Sequence, residues 1–352
     1  MVAEPRDEGT HRAGAHPFWN ESFYFNFFDV EGGYGGATRI GFSPNRAHRD
    51  GFVCFYFPDG EVGFVRTNAP LAPAEHGLDG QPIACGPLVF VCERPFERWR
   101  ASYRGPIFVA DDPMAFGDLM RVACVDLPRR DVEIELVFES VHEPFDFHPT
   151  SRKGLLAPSR WGSELARRSP VLAAGVALHA LSSLPAMMGA THYEQAVEVS
   201  GRIRIDGRER TFRGMGQRDH SYGVRDMRVP TRWRWVSCQM GRELCFNVTR
   251  VEVLGLEVTG GYAFVDGRPV GLVASALEGD VDARGRLPES MGLALSLPDG
   301  RDLAIPIRIL RQLPIAIETE GRGAVVNETL ARFELGGRSA IGIVEAMERR
   351  FS

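Results

Sequence analysis

Residues 262–274 read YAFVDGRPVGLVA. Tyr262 to Val265 is a short apolar and aromatic run, and Pro269 to Ala274 is a second one. Between them stands Asp266-Gly267, a pair suited to the positive φ angles of a tight hairpin turn. The stretch reads as a β-hairpin, and the same grammar recurs outward from it. Gly51 to Phe57 meets Pro58-Asp59-Gly60 and then Val62 to Arg66. Arg202 to Ile205 ends in Asp206-Gly207, and Asp299-Gly300 precedes Leu303, Ile305, Ile307 and Ile309. Pro306 inside that last run predicts an edge strand or a bulge. Asp131 to Glu139 alternates, with Val132, Ile134 and Leu136 on one side and Glu133 and Glu135 on the other, as a half-solvated strand does. Many short strands with Asp-Gly turns favour β-sandwiches or β-barrels over βαβ units. The fold class is mostly β.

Two units fit a chain of 352 residues at roughly 100–200 residues per domain. Residues 1–15 are polar and read as frayed, with structure beginning near Pro17. An aromatic stretch, Trp19 to Phe28, runs into the glycines of 32–36. Residues 143–149 read as a loop. Val171 to Ala190 is almost wholly apolar, after Ser169 as a cap and Pro170 in a first turn. His179, Ser182, Ser183 and Pro185 argue against a membrane span. The readings left are a buried or half-buried helix, or a lid or transient membrane contact that admits a hydrophobic ligand. The expected boundaries are 17–190 for the first unit with its helical connector and 191–350 for the second.

Composition narrows the partners. The chain has 41 Lys plus Arg against 46 Asp plus Glu, a formal charge of −5. Its basic residues are scattered, which argues against nucleic acid as a partner. The six cysteines include no CxxC pair and read as free thiols in a reducing, cytoplasmic setting. No Walker A motif and no strand–GxGxxG–helix unit occurs, so no cofactor is expected. His142 and His148 flank Glu143 and Asp146 at spacings that match no metal motif, and no metal is expected either.

The densest polar cluster is GMGQRDHSYGVRD, Gly214 to Asp226. Asp219 and His220 suit proton transfer. Arg218 or Arg225 suits a carboxylate or a negative oxygen, and Tyr222 a hydrogen bond. The same cluster also reads as a structural salt-bridge plug. On a regular strand, neighbours face opposite ways, so Asp219 and His220 could not share one pocket there. Glu194 and His192 open the next unit's first strand, and either could face Asp219. Two carboxylates in a dry cavity would raise one pKa. Tyr24 and Asn26 on the aromatic stretch, with Trp233 and Trp235 on one face of a strand, read as pocket wall or as core.

The segment Gly216 to Arg225 resembles the G-x-R-D-H-S-W-G-x-R signature of a bacterial family. That family belongs with two-domain lipocalin-like proteins, among them the carotenoid 1,2-hydratases and AttH-like proteins. Asn20 to Asn26, His192 to Gln195 and Gly342 to Glu345 carry the likeness over roughly residues 17–350. Tyr222 stands where Trp is usual. The resemblance implies two lipocalin-like antiparallel β-barrel or sandwich domains joined by the apolar helix, and Asp219 as a proton donor near a cavity.

The expected function is cofactor-independent acid–base catalysis on a hydrophobic small molecule. Hydration, dehydration or isomerisation of an isoprenoid, steroid-like or aromatic compound fits best. Asp219, His220 and Glu194 would be catalytic. Tyr24, Asn26, His192, Arg218, Tyr222, Arg225, Trp233 and Trp235 would bind substrate. The competing expectation is a non-catalytic carrier of a lipid or terpenoid.

Overall fold

The computed structural model describes residues 3–29, 31, 33–71, 82–117, 127–147, 155–188, 191–282, 284–319 and 322–349. His148 and Cys124 lie outside them. The first half forms β1 (Trp19–Phe28), β2 (Gly35–Ser43), β3 (His48–Tyr56), β4 (Val62–Pro70), β5 (Ile83–Cys85) and β6 (Leu88–Arg94). Then come β7 (Arg98–Ala110), β8 (Arg129–Ser140), β9 (Phe145–Asp146) and β10 (Leu155–Pro158). Two helices follow, α1 (Arg160–Arg168) and α2 (Pro170–Met188). The second half forms β11 (Thr191–Ile205), β12 (Arg208–Val224), β13 (Arg232–Gln239), β14 (Cys245–Val253), β15 (Leu256–Val265) and β16 (Arg268–Gly271). The chain closes with β17 (Ala274–Leu277), β18 (Ser290–Ser296), β19 (Asp302–Thr319), β20 (Arg322–Leu335) and β21 (Arg338–Arg349).

These strands make two sheets, antiparallel throughout, with a short helical link. One runs β4-β3-β2-β1-β12-β11-β8-β7-β6-β5, with β9 also on β11. Its β4 meets β7 over Val62–Phe64 and Phe108–Ala110. The other runs β10-β15-β14-β13-β21-β20-β19-β18-β17, with β16 on β15. β11 and β12 follow the helices but join the first sheet, while β10 precedes them and joins the second. Sheet membership therefore changes at β10, returns at β11, and changes again between Val224 and Arg232. β12 pairs along the whole of β1, setting Phe23, Phe25 and Phe27 opposite His220, Arg218 and Gly216.

β8 alternates as its sequence requires, burying Val132, Ile134, Leu136 and Phe138. They pack with Phe23, Phe25, Phe27, Phe90 and Trp99 inside the first sheet. Val236, Phe246, Leu293, Ile305, Phe333 and Val344 form the second sheet's own core. A third cluster joins the sheets, setting Tyr24, Phe28, Tyr56 and Phe64 against Trp235, Leu313, Ile315, Leu330 and Ile343. β1 is thus buried on both faces, which accounts for its dense aromatic content. Each such side chain adds roughly 1.5–3 kcal/mol when fully buried.

Three readings change. Phe145 and Asp146, expected in a loop, pair with Glu194 and Tyr193. The polar N-terminus is not frayed throughout, because Glu8 is 2% exposed and held by Arg218. The described start of α2 is not buried, since Val171, Leu172 and Leu178 are 86%, 56% and 68% exposed. Among the described residues, no helix is long and apolar enough to cross a membrane. The five described cysteines are free, and Cys92 alone of them is half-buried.

Candidate active site

The GMGQRDHSYG segment is continuous strand. Gly214 and Gly216 permit it, because a Cβ there would stand 2.1 Å from Phe28 O and 1.9 Å from Asn26 O. The backbones approach too closely for any side chain. β12 lies between β1 and β11, so Asp219 is opposite both Tyr24 and Glu194. The pleat sends Gln217, Asp219 and Ser221 to the seam between the sheets. Arg218, His220 and Tyr222 point into the first sheet's interior.

On the seam face, His192 Nε2 is 2.5 Å from Asp219 Oδ2 and 3.1 Å from Glu194 Oε1. The His192 and Asp219 side chains are 19% and 15% exposed, and that of Glu194 is closed to solvent. Phe147 stacks on the imidazole at 4.7 Å. Burial alone would lower the His192 pKa, but Asp219 and Glu194 raise it to about 9. Burial would raise the Asp219 carboxyl, yet the charge and hydrogen bond of His192 hold it below its usual value. Burial raises the Glu194 carboxyl above its ordinary value, against the pull of His192. These directions favour a proton on His192 with Asp219 as its ionised partner.

The surroundings fix these groups. Trp235 Nε1 donates to Glu194 Oε1 at 3.0 Å, and Gln217 Nε2 donates to Glu194 Oε2 at 2.7 Å. Tyr24 meets Trp235 edge-on at 5.4 Å. Arg225 Nη1 donates to Ser221 Oγ at 3.1 Å. Asn26 is fully buried and its Oδ1 accepts from Gln217 N at 2.7 Å, which makes it a latch between β1 and β12. Trp233 Nε1 donates to Glu345 Oε1.

Glu328 and Glu345 carry no signal as a motif, although they face this same seam. They are register neighbours on β20 and β21, and Glu345 is opposite Trp235 on β13. Burial lifts the Glu328 carboxyl well above its ordinary value, and Glu345 adds to the rise. Burial also raises Glu345 itself. The available signal is an acid placed among apolar neighbours, Ile343-Val344-Glu345-Ala346.

The opposite face is a sealed network. Arg218 Nη2 donates to Glu8 Oε1 at 2.5 Å, and Trp99 Nε1 to Glu8 Oε2 at 2.8 Å. Tyr193 Oη lies 2.7 Å from both Glu8 Oε1 and His220 Nδ1. His220 Nε2 lies 3.0 Å from Glu21 Oε1. Burial depresses the His220 pKa, more than Glu21 raises it. Tyr222 stacks on His11 at 3.4 Å. The structure thus brings Asp219, Glu194, His192, Tyr24, Asn26, Arg225, Trp233 and Trp235 to the seam. Arg218, His220 and Tyr222 stand apart on the other face. Two trios, His192-Glu194-Asp219 and His11-Glu21-His220, hold donor atoms within 4.8 Å of one another and so have the donor types a cation takes.

Solved structures share the fold. That of the AttH candidate of Nitrosomonas europaea is 13% identical with a TM-score of 0.62, covering 98% of this chain and 97% of its own. Kievitone hydratase from Nectria haematococca is 8% identical with a TM-score of 0.54, covering 98% and 92%. CghA is 12% identical with a TM-score of 0.52, covering 96% and 89%. No curated protein matches the sequence. Residues 4–350 match the family described as "Domain of unknown function (DUF7064)". The chain belongs to the DUF7064 family.

Proposed function

We propose that the seam is the active site of a cofactor-independent acid–base enzyme acting on a hydrophobic small molecule, by addition or removal of water. The observation that carries this is the His192–Asp219 couple. It is partly open to solvent, backed by buried Glu194, and placed beside Tyr24 and Trp235. An imidazolium held by a carboxylate can protonate a departing hydroxyl. Indole faces stabilise a developing cation. Asp219 keeps its catalytic assignment as the group that orients and charges His192. Glu194 fixes the ring from the other side, while Tyr24, Trp233, Trp235 and Arg225 shape the substrate's surroundings. Substrate contacts for Asn26, Arg218 and Tyr222, and a catalytic role for His220, find less support in this geometry.

The likeness to kievitone hydratase makes kievitone a first compound to try. CghA, solved with Sch210972, is a case of this fold holding a small molecule. The meeting of β4 with β7 supports a barrel-like container of the lipocalin kind. The exposed apolar side chains of α2 support a transient membrane contact during ligand uptake.

The test is turnover of kievitone and of lipophilic tertiary alcohols and their alkenes, followed by mass spectrometry. Asp219→Asn and His192→Gln should each lower kcat by about 10²–10⁴-fold. Unchanged turnover in both variants rejects the reading. A non-catalytic lipid or terpenoid carrier is the second reading, favoured by Asp219 and Glu194 both being bonded within the chain already. It wins if the purified protein retains ligand but never converts it.

A further inference from the structure

Glu328 is 1% exposed, and among the described residues its Oε2 has no hydrogen-bond partner. An unmet acceptor inside a folded chain is costly. Its register neighbour is another acid, Glu345. Like charges directly opposed across strands destabilise a sheet. A proton held between the two removes that repulsion.

The position of this pair is set by β13. Trp233 and Trp235 stand on one face of that strand, about 7 Å apart at roughly 3.4 Å per residue. The Trp233 indole donates to Glu345, and the Trp235 indole donates to Glu194. One tryptophan therefore holds each acid–base centre. Arg225 lies in the field of Asp219, Glu194 and Glu345 together. Glu345 is half-buried, unlike Glu328, so the outer carboxyl of the pair is the one a ligand reaches.

We infer that Glu345 is the base that completes this site, that Glu328 keeps the pair's single proton, and that the resting enzyme is set to eliminate water from a hydrophobic alcohol. The inference rests on the acid–base reading of the seam. In the step, the His192 imidazolium gives its proton to the substrate hydroxyl as the C–O bond breaks. Glu345 takes a proton from the adjacent carbon, and that C–H electron pair becomes the new C=C bond. The products are an alkene and one water. His192 ends neutral and Glu345 protonated. Both side chains reach solvent, which returns the proton to His192 and removes it from Glu345. Burial of Glu328 beside Glu345 favours the protonated acid there, consistent with its role as the holder of the shared proton. Trp233, whose indole N–H donates to Glu345, aims the carboxylate and shields the carbon from water.

Two measurements test this. The first needs no substrate. Infrared spectroscopy of the protein at neutral pH should show the carbonyl stretch of a buried protonated carboxyl. That band should vanish in Glu328→Gln, shift in Glu345→Gln and persist in Asp219→Asn. Absence of the band, or its persistence in Glu328→Gln, overturns the inference. The second uses the alcohol–alkene pair turned over in the screen above. Glu345→Gln should lower kcat at least about 100-fold with KM little changed, and its residual rate should lose the acid limb of the pH profile. His192→Gln should lose the alkaline limb instead. If His192→Gln abolishes turnover while Glu345→Gln keeps the wild-type rate and both limbs, the inference fails and the acid–base reading stands. If neither variant changes the rate, both fail. Where no compound is turned over, the infrared result decides alone.

Discussion

The two faces of β12 use nearly the same residue types for opposite ends. On the seam, a histidine sits between two carboxylates with its charge raised and its edge open to solvent. On the interior face, His220 sits between Glu21 and Tyr193, closed to solvent and held neutral. The difference is access and what else is packed nearby. Glu8 and Arg218 neutralise each other within the interior, and Phe23 stacks on His220 at 3.9 Å. No ligand has room to exploit those groups. Adjacent positions in one motif, Asp219 and His220, thus meet different surroundings, and the proposed function gives chemistry to the first and construction to the second.

That contrast is most exposed to failure on the interior face. Arg218→Met leaves Glu8 buried without its cation, and should cost about 3–5 kcal/mol of stability, measured by urea unfolding. Glu8→Gln should cost a similar amount. The double variant should lose less than the sum, because the two residues form one unit. Asp219→Asn, by comparison, should cost about 1 kcal/mol while removing turnover. Equal destabilisation on both faces would erase the distinction.

The next effect is on pH. Burial lowers the His142 pKa to about 4, below its unfolded value near 6.5. Neutral His142 accepts from Ala196 N at 3.0 Å, so it belongs to the construction side. A base depressed by folding binds its proton more readily when unfolded. Stability should therefore fall as pH drops from about 6.5 to 4, by on the order of 3 kcal/mol from this group. His142→Gln should flatten that limb in unfolding curves taken across the range. His192 has the opposite sign: its contribution is full below about 6.5 and is lost as pH rises through about 9.

The smallest effect is expected at Tyr222. Its ring lies over His11 on the interior side, away from Asp219. Tyr222→Trp should leave turnover within about twofold and stability within about 0.5 kcal/mol. A large change in substrate range would place position 222 at the ligand after all.

Much of this was readable from the residues. Alternation located β8, and the Asp-Gly pairs located turns. The rule that neighbours on a strand diverge offered a way to part Asp219 from His220, although both were expected to be catalytic, and Glu194 or His192 was a possible companion. What was not readable has a common physical origin. Glu328 and Glu345 reach the site only because β20, β21 and β13 pair side by side and then pack on the first sheet. Nothing local marks them beyond an acid in an apolar run. The N-terminal segment looked frayed because its composition is polar, and its order depends on a partner, Arg218, far along the chain. The membership of β11 and β12 was hidden for a similar reason. The apolar helix before them looks like a boundary, while the strands return to β1 and β8.

The most direct test of the central claim is the titration of two histidines in one sample. With His192 and His220 assigned by His→Gln variants, the ring carbon shifts can be followed by NMR from acid to alkaline pH. His192 should stay protonated past neutrality and titrate at about 9, while His220 should titrate below the ordinary value of about 6.5. A His192 that titrates at or below 6.5 would contradict a seam built around an imidazolium, whatever substrate is found.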